Sequence, residues 1–365
     1  MEGTENIMND QRILRYFLGG NTYRGFYSLY DSFVSLSEGN FLWVLKGGPG
    51  CGKSSFMKML GSAAEKAGLT VEYAVCSGDP SSLDGVYIPE LKTAYTDGTA
   101  PHIADANMAG VDSAYINLGT FYDYDAISEY KAELKELYGE CSANYKKAYS
   151  MFAAAGALQS GWQSGFSSEQ ESDAAIKRMS GIALREFGKK HREKGQIKYR
   201  FLSALTCRGL SSFPDTAEAL CTRFYVLENR LRLGGTALQS LALAAVEAGH
   251  DVIVCPNPLT PELAEAVLVP TLSLGFLTSD SALVRSLDSR HIRLDALAES
   301  VRIKKNRQEL RRCEKLTETL INEGYDALAE AKHRHDQIES IFNPNVDFDG
   351  VNALVQEHIK SLGLK

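Results

Sequence analysis

The chain has 365 residues, of which 44% are hydrophobic and 23% charged, and a formal net charge of −7. This length is expected to hold about two domains with ample core, and the acidic balance argues against general nucleic-acid binding. Residues 1–11 are polar and acidic rather than basic then apolar, and no run approaches the roughly eighteen apolar residues of a membrane span; the expectation is a cytoplasmic protein with neither leader nor anchor.

In chain order, Phe41-Leu42-Trp43-Val44-Leu45 is a short apolar run that predicts a buried strand, and residues 55–60 open a helical pattern. Between them stands Gly47-Gly48-Pro49-Gly50-Cys51-Gly52-Lys53-Ser54, a complete G-x-x-x-x-G-K-[ST] phosphate loop. Its glycines let successive backbone N–H groups turn toward phosphate oxygens, and the following helix adds the positive end of its dipole. Lys53 carries the charge that reaches the β- and γ-phosphates, and the Ser54 hydroxyl suits a bridging magnesium ion. The expected ligands are therefore ATP and Mg²⁺, held by Gly47, Gly48, Pro49, Gly50, Cys51, Gly52, Lys53, Ser54 and Ser55.

Residues 69–75 predict a second strand, and residues 76–85 a polar turn that carries Asp79 and Asp84. A third apolar stretch, residues 91–96, runs into Asp97. This carboxylate is the candidate catalytic and metal-organising residue, with a turn-capping role as the equal alternative. His102, five residues on, has only a weak claim on phosphate and is read first as a loop residue. Residues 115–118 predict another strand. Ile127, Tyr130, Leu134, Leu137, Cys141, Tyr145, Ala148 and Phe152 then recur at three- and four-residue spacing, the stripe of a long amphipathic helix.

The second half repeats the first. Residues 17–31 match residues 201–215 at an offset of 184 with seven of fifteen positions identical, and later matches fall at 182 and 181. Val44-Leu45 lies over Val226-Leu227, and Pro89 over Pro270. Shared residues such as Arg24 with Arg208 read as architecture. The second loop is Asn229-Arg230-Leu231-Arg232-Leu233-Gly234-Gly235-Thr236, in which Gly235 replaces Lys53, so its phosphate charge is gone and it reads as degenerate. Arg230 and Arg232 are either surface arginines on a decayed loop or, if the two loops face one another, guanidinium groups for the phosphate held by Lys53. A second amphipathic stripe runs from Leu310 to Phe342. His333 and His335 on it splay to different faces, which rejects a metal reading there. The basic stretches 177–200 and 302–315 are read as solvated helical faces, and the seven cysteines, never spaced C-x-x-C, predict neither disulfides nor zinc.

The fold expected is α/β: two tandem P-loop NTPase-like α/β/α units, each followed by a long helical segment, in domains 1–195 and 196–365. The sequence resembles a family of uncharacterised bacterial tandem P-loop proteins labelled ATPase or nucleotide kinase. The resemblance spans nearly the whole chain and rests on Gly20-Asn21-Thr22 with Gly25-Phe26, the 47–54 loop, Asp97-Gly98-Thr99-Ala100-Pro101-His102, Ile116-Asn117-Leu118-Gly119, and Arg208-Gly209 with Ser211-Ser212-Phe213-Pro214-Asp215. It implies the fold and ATP, and no substrate; the missing second lysine departs from its two-loop pattern. Magnesium-dependent ATP hydrolysis in the N-terminal half is the first reading, since neither a guanine-reading Asn-Lys-x-Asp nor a transporter Leu-Ser-Gly-Gly-Gln is present. A nucleotide or small-molecule kinase is the second: Gly47-Gly48-Pro49-Gly50 looks like the loop of nucleoside monophosphate kinases, which continue Gly-Lys-Gly-Thr. A nucleotide-gated switch or scaffold with a protein partner or a second copy is the third.

Overall fold

The structure is a computed structural model that describes residues 12–99, 108–188, 193–284, 289–297 and 307–365. Its first half contains β1 (Ile13–Phe17), the hairpin β2 (Gly19–Thr22) and β3 (Gly25–Ser28), β4 (Phe41–Lys46), α1 (Lys53–Lys66), β5 (Val71–Val75), β6 (Leu83–Ile88), β7 (Thr93–Asp97) and β8 (Ser113–Asn117). The short α2 (Tyr124–Ser128), the long α3 (Lys131–Phe166) and α4 (Glu169–Glu186) follow. In the second half the same elements recur: β9 (Ile197–Tyr199), the hairpin β10 (Ser203–Thr206) and β11 (Gly209–Ser212), α5 (Pro214–Leu220), β12 (Arg223–Leu227), α6 (Gly234–Glu247), β13 (Val252–Pro256), β14 (Ala264–Val269), β15 (Leu274–Thr278) and β16 (Ser289–Ile292). α7 (Arg307–Phe342) and α8 (Phe348–Ser361) end the chain.

The repeat read from the sequence is a repeat of topology. The two six-stranded sheets run β1-β5-β6-β7-β4-β8 and β9-β13-β14-β15-β12-β16, with β6 and β14 antiparallel to both neighbours. The shared Thr-x-Arg-Gly codes the hairpin turn: Thr22 Oγ1 donates to Gly25 O at 2.9 Å and accepts from Arg24 N, and Thr206 does the same with Gly209 O at 2.8 Å and Arg208 N. Each arginine then reaches into the other unit, Arg24 to Glu262 and Arg208 to Asp79. Residues 76–85, expected to be a polar turn, end in strand β6, where Asp84 is buried and accepts from Tyr30 Oη at 2.8 Å. Backbone pairing on both sides makes that strand, and the phenol makes burial of its carboxylate tolerable.

Strand alternation divides each sheet into two faces. In β5, Val71, Tyr73 and Val75 pack on one side with Phe56, Met57 and Leu60 of α1, while Ala74 points the other way. That other face, with Leu14, Tyr16 and Ala94, shares one core with Phe224, Cys255, Ala266, Leu268 and Leu277 of the second sheet. An outer helical layer thus covers one face of each sheet, and the other face is covered by the partner unit, because both faces are apolar and only one long helix follows each loop. At the centre, Phe17 N donates to Phe201 O at 2.8 Å and Phe201 N to Phe17 O at 3.1 Å. These are the first aligned residues of the two halves, so a pseudo-twofold axis passes between them.

The two 36-residue helices α3 and α7 pack antiparallel. Leu134 meets Ile338 at one end, Phe152 stacks edge-on against Tyr325, and Cys313 Sγ approaches Leu158 O at the other end. The helices beyond them cross over. α4 buries Ala175, Met179 and Ile182 in the second unit's core, and α8 buries Val351, Val355 and Ile359 in the first unit's. Among the described residues no helix is long and apolar enough to cross a membrane.

Candidate functional site

β4 delivers the chain to the loop at Lys46, and α1 begins at Lys53. Gly50 and Gly52 hold the loop open with φ of 70° and 90°, the left-handed region that only glycine enters without strain. No side chain caps α1 and no acid stands in its first turn, so its N–H groups and dipole are unopposed at the loop. Lys53 Nζ lies at the loop's centre, donating to Gly47 O at 2.6 Å and Gly48 O at 2.9 Å. β7 pairs with β4 in the register Leu45↔Asp97, which sets Asp97 beside the loop with its Oδ2 3.6 Å from Lys53 Nζ. Of the two readings of Asp97, the turn cap is seen directly, since Oδ1 accepts from Thr99 N at 2.8 Å and Thr99 Oγ1 at 2.5 Å, while Oδ2 faces the lysine. Ser54 Oγ accepts from Leu83 N at 3.0 Å, which leaves its second lone pair for a cation. His102 lies outside the described residues.

Cys51 and Ser55 differ in exposure from the rest of the loop. The Cys51 side chain is in the core, 1% exposed, with its Sγ 3.8 Å from Lys53 Nζ, and Ser55 is exposed to solvent. Three contacts escaped the sequence. Burial, and next Cys51, push the Tyr122 phenol up, so it stays protonated and donates to Pro49 O at 2.9 Å. Lys46 Nζ holds Gly98 O at 2.8 Å, fixing the turn after Asp97. The corner between α7 and α8 sits on the loop: a Cβ on Gly50 would come 2.5 Å from Asn343 Oδ1, and one on Gly52 3.5 Å from Val351. No local signal marks this corner, which arrives from some 290 residues away in the chain.

The second loop is built differently at the same place. Asn229, aligned with Gly47, accepts from Gly234 N at 2.8 Å through Oδ1 and donates from Nδ2 to Asp280 Oδ1 at 2.8 Å. Its amide oxygen occupies the helix N-terminus that an anion would take, and Leu231 and Leu233 are buried beneath. The end of α6 is thus filled by the protein's own amide, whereas the end of α1 has no side-chain cap. The idea that Arg230 or Arg232 serves the first loop does not hold. Arg230 Nε lies 3.7 Å from Glu314 near the start of α7, whereas the first loop abuts Phe342 at its end. The intervening 28 residues of helix span about 42 Å, far beyond a side chain's reach.

His335, Asp336 and Glu339 cluster on α7, but Asp336 pairs with Lys332, which also meets Asp79 at 3.3 Å, and His335 lies 3.8 Å from Glu339. Asp336 is thus engaged by a lysine, and Glu339 lies beside an imidazole. Compared with protein-family models, with curated proteins and with solved structures, the chain matches none.

Proposed function

We propose that the protein binds one magnesium-ATP per chain at the first loop and hydrolyses it there. The observation that supports this reading most is the conjunction of an uncapped helix N-terminus, a lysine at its first position and a carboxylate 3.6 Å from that lysine on the adjacent strand. Lys53 exchanges its bonds to Gly47 O and Gly48 O for phosphate oxygens, and the loop amides converge on the same anion. Ser54 Oγ and Asp97 are the groups that would hold Mg²⁺, which neutralises charge between the β- and γ-phosphates when bound. Thr99 fixes the Asp97 carboxylate so that it stays aimed at this point. A protein of this kind works in the cytoplasm, where magnesium-ATP is abundant.

Calorimetric titration should give a single triphosphate site. Binding at about a hundred times the dissociation constant adds about 2.7 kcal/mol to the folded state, enough to raise the melting point by several degrees. Lys53→Ala should abolish that shift, and Asp97→Asn should keep most of the affinity while losing turnover. Two equivalent sites, or an unchanged shift in Lys53→Ala, would overturn the reading; ADP released only with an added acceptor would make the protein a kinase. The α7–α8 corner on Gly50 and Gly52 favours a second role as a nucleotide-gated switch, because a ligand that shifted the loop would act directly on that corner.

A further inference from the structure

A cavity of about 410 Å³ lies where the second loop meets the long helix pair, well away from the first loop. Volumes in the range of roughly 300–1,000 Å³ accommodate small organic ligands. Arg230, Leu231 and Arg232 form its floor. Leu310, Thr317, Ile321 and Tyr325 of α7, spaced to share one helix face, form a wall.

Glu314 and Glu318 also line the cavity, on the side of α7, and three further features of the lining bear on a ligand. Leu231, Leu310, Ile321 and the Tyr325 ring offer an apolar slot. Gln159, from the end of α3, has its Oε1 fully buried without a hydrogen-bond partner among the described residues. Such an acceptor costs about 1–3 kcal/mol until the amide turns toward the cavity and a donor reaches it. Arg232 keeps the left-handed backbone of its counterpart Gly50, with φ of 57° against 70°. A residue with a Cβ is strained there by roughly 1–2 kcal/mol, and strain of this kind is characteristic of ligand sites. The lining also desolvates the guanidinium and lowers its pKa, which an acidic ligand would reverse. A guanidinium has five donors, enough for a ligand's acid in addition to protein partners. Arg230, paired with Glu314 at 3.7 Å and 42% exposed, stands at the rim.

We propose that this cavity binds a small aromatic anion, with a ring system between Leu231 and Tyr325, one acidic group on Arg232 and one N–H or O–H on Gln159. The site needs no nucleotide at the first loop.

The probe is 1-anilinonaphthalene-8-sulfonate, which carries a ring system, a sulfonate and one N–H, titrated by fluorescence into the full-length protein. One saturable site per chain is expected, with a dissociation constant on the order of tens of micromolar. Ile321→Trp, which fills the slot from a partly exposed position, should weaken binding at least tenfold, and Gln159→Leu several-fold. N-phenyl-1-naphthylamine, the same body without the sulfonate, should bind the parent about tenfold more weakly and be indifferent to Arg232→Gln, whereas the sulfonate loses tenfold in that variant. Saturating magnesium-ATP should leave the titration unchanged. Parent-like affinity in Ile321→Trp, equal losses for both probes in Arg232→Gln, or displacement by ATP would overturn the proposal. If Arg232→Gln does not fold, Ile321→Trp and the ATP competition still decide it.

Discussion

Cutting the chain at the boundary between its repeats, to give residues 1–195, should leave neither half able to fold alone. The fragment keeps the first sheet and α1 but loses α8 and the residues after it, which place Val351, Val355, Ile359 and Leu364, at 3%, 0%, 6% and 8% exposure, against the same core as Phe56 and Tyr95. Burying a Val, Leu or Ile side chain is worth about 1.5–3 kcal/mol, so these four account for roughly 6–12 kcal/mol as an upper estimate. Whole domains are stable by only about 5–15 kcal/mol. The fragment also exposes the face of α4 bearing Ala175, Met179 and Ile182, and removes α7 from α3. Urea unfolding followed by circular dichroism should show one cooperative transition for the full chain and a broad, low-midpoint loss for residues 1–195. Mixing with residues 196–365 should restore cooperativity. A sharp transition for the isolated fragment, within a few degrees of the full chain on heating, would refute the crossed-helix account.

Glu265 is buried between Ser203 Oγ at 2.6 Å and Ser281 Oγ at 3.1 Å, and burial pushes its carboxyl up to about 8. A raised folded-state value stabilises the protein fully below the unfolded value near 4.5 and loses that contribution as pH rises to about 8. Glu265→Gln should therefore flatten stability between pH 5 and pH 8 and unfold at higher urea than the parent at pH 8; a parallel pH profile in the variant would count against it. Gly324 faces Phe152, where a new Cβ would come 2.7 Å from Cδ1 of a fully buried ring. Overpacking of about 1–3 kcal/mol outweighs the roughly 1 kcal/mol gained in helix propensity, so Gly324→Ala should lower the melting point, and a raised one would show that the helix pair can open.

What the sequence revealed was what is local. The apolar run at 41–45, the 47–54 loop and the stripe from Leu310 to Phe342 each carry their own period or spacing, and β4, the loop and α7 lie within a few residues of those marks. The repeat revealed the topology twice over. Asp84 misled because Asp79-Pro80-Ser81-Ser82 ahead of it and Gly85 after it have the composition of a turn; the offset of 181 lays it over Glu265, and the register, with Ala74 opposite Gly85 and Cys255 opposite Ala266, bears that match out. The crossing of α4 and α8 was not legible, since an amphipathic helix shows that it has a buried face but not whose core it enters. For the same reason the corner at Asn343 was missed beside Gly50.

The reciprocal bonds between Phe17 and Phe201, together with the exchanged terminal helices, are the geometry of a domain-swapped dimer written on one polypeptide. Identical subunits cannot specialise, because every substitution appears twice. Tethered in one chain, the two loops are free to diverge. One keeps its lysine and an open helix end, while the other plugs its own helix end with Asn229 and leaves a cavity beside it.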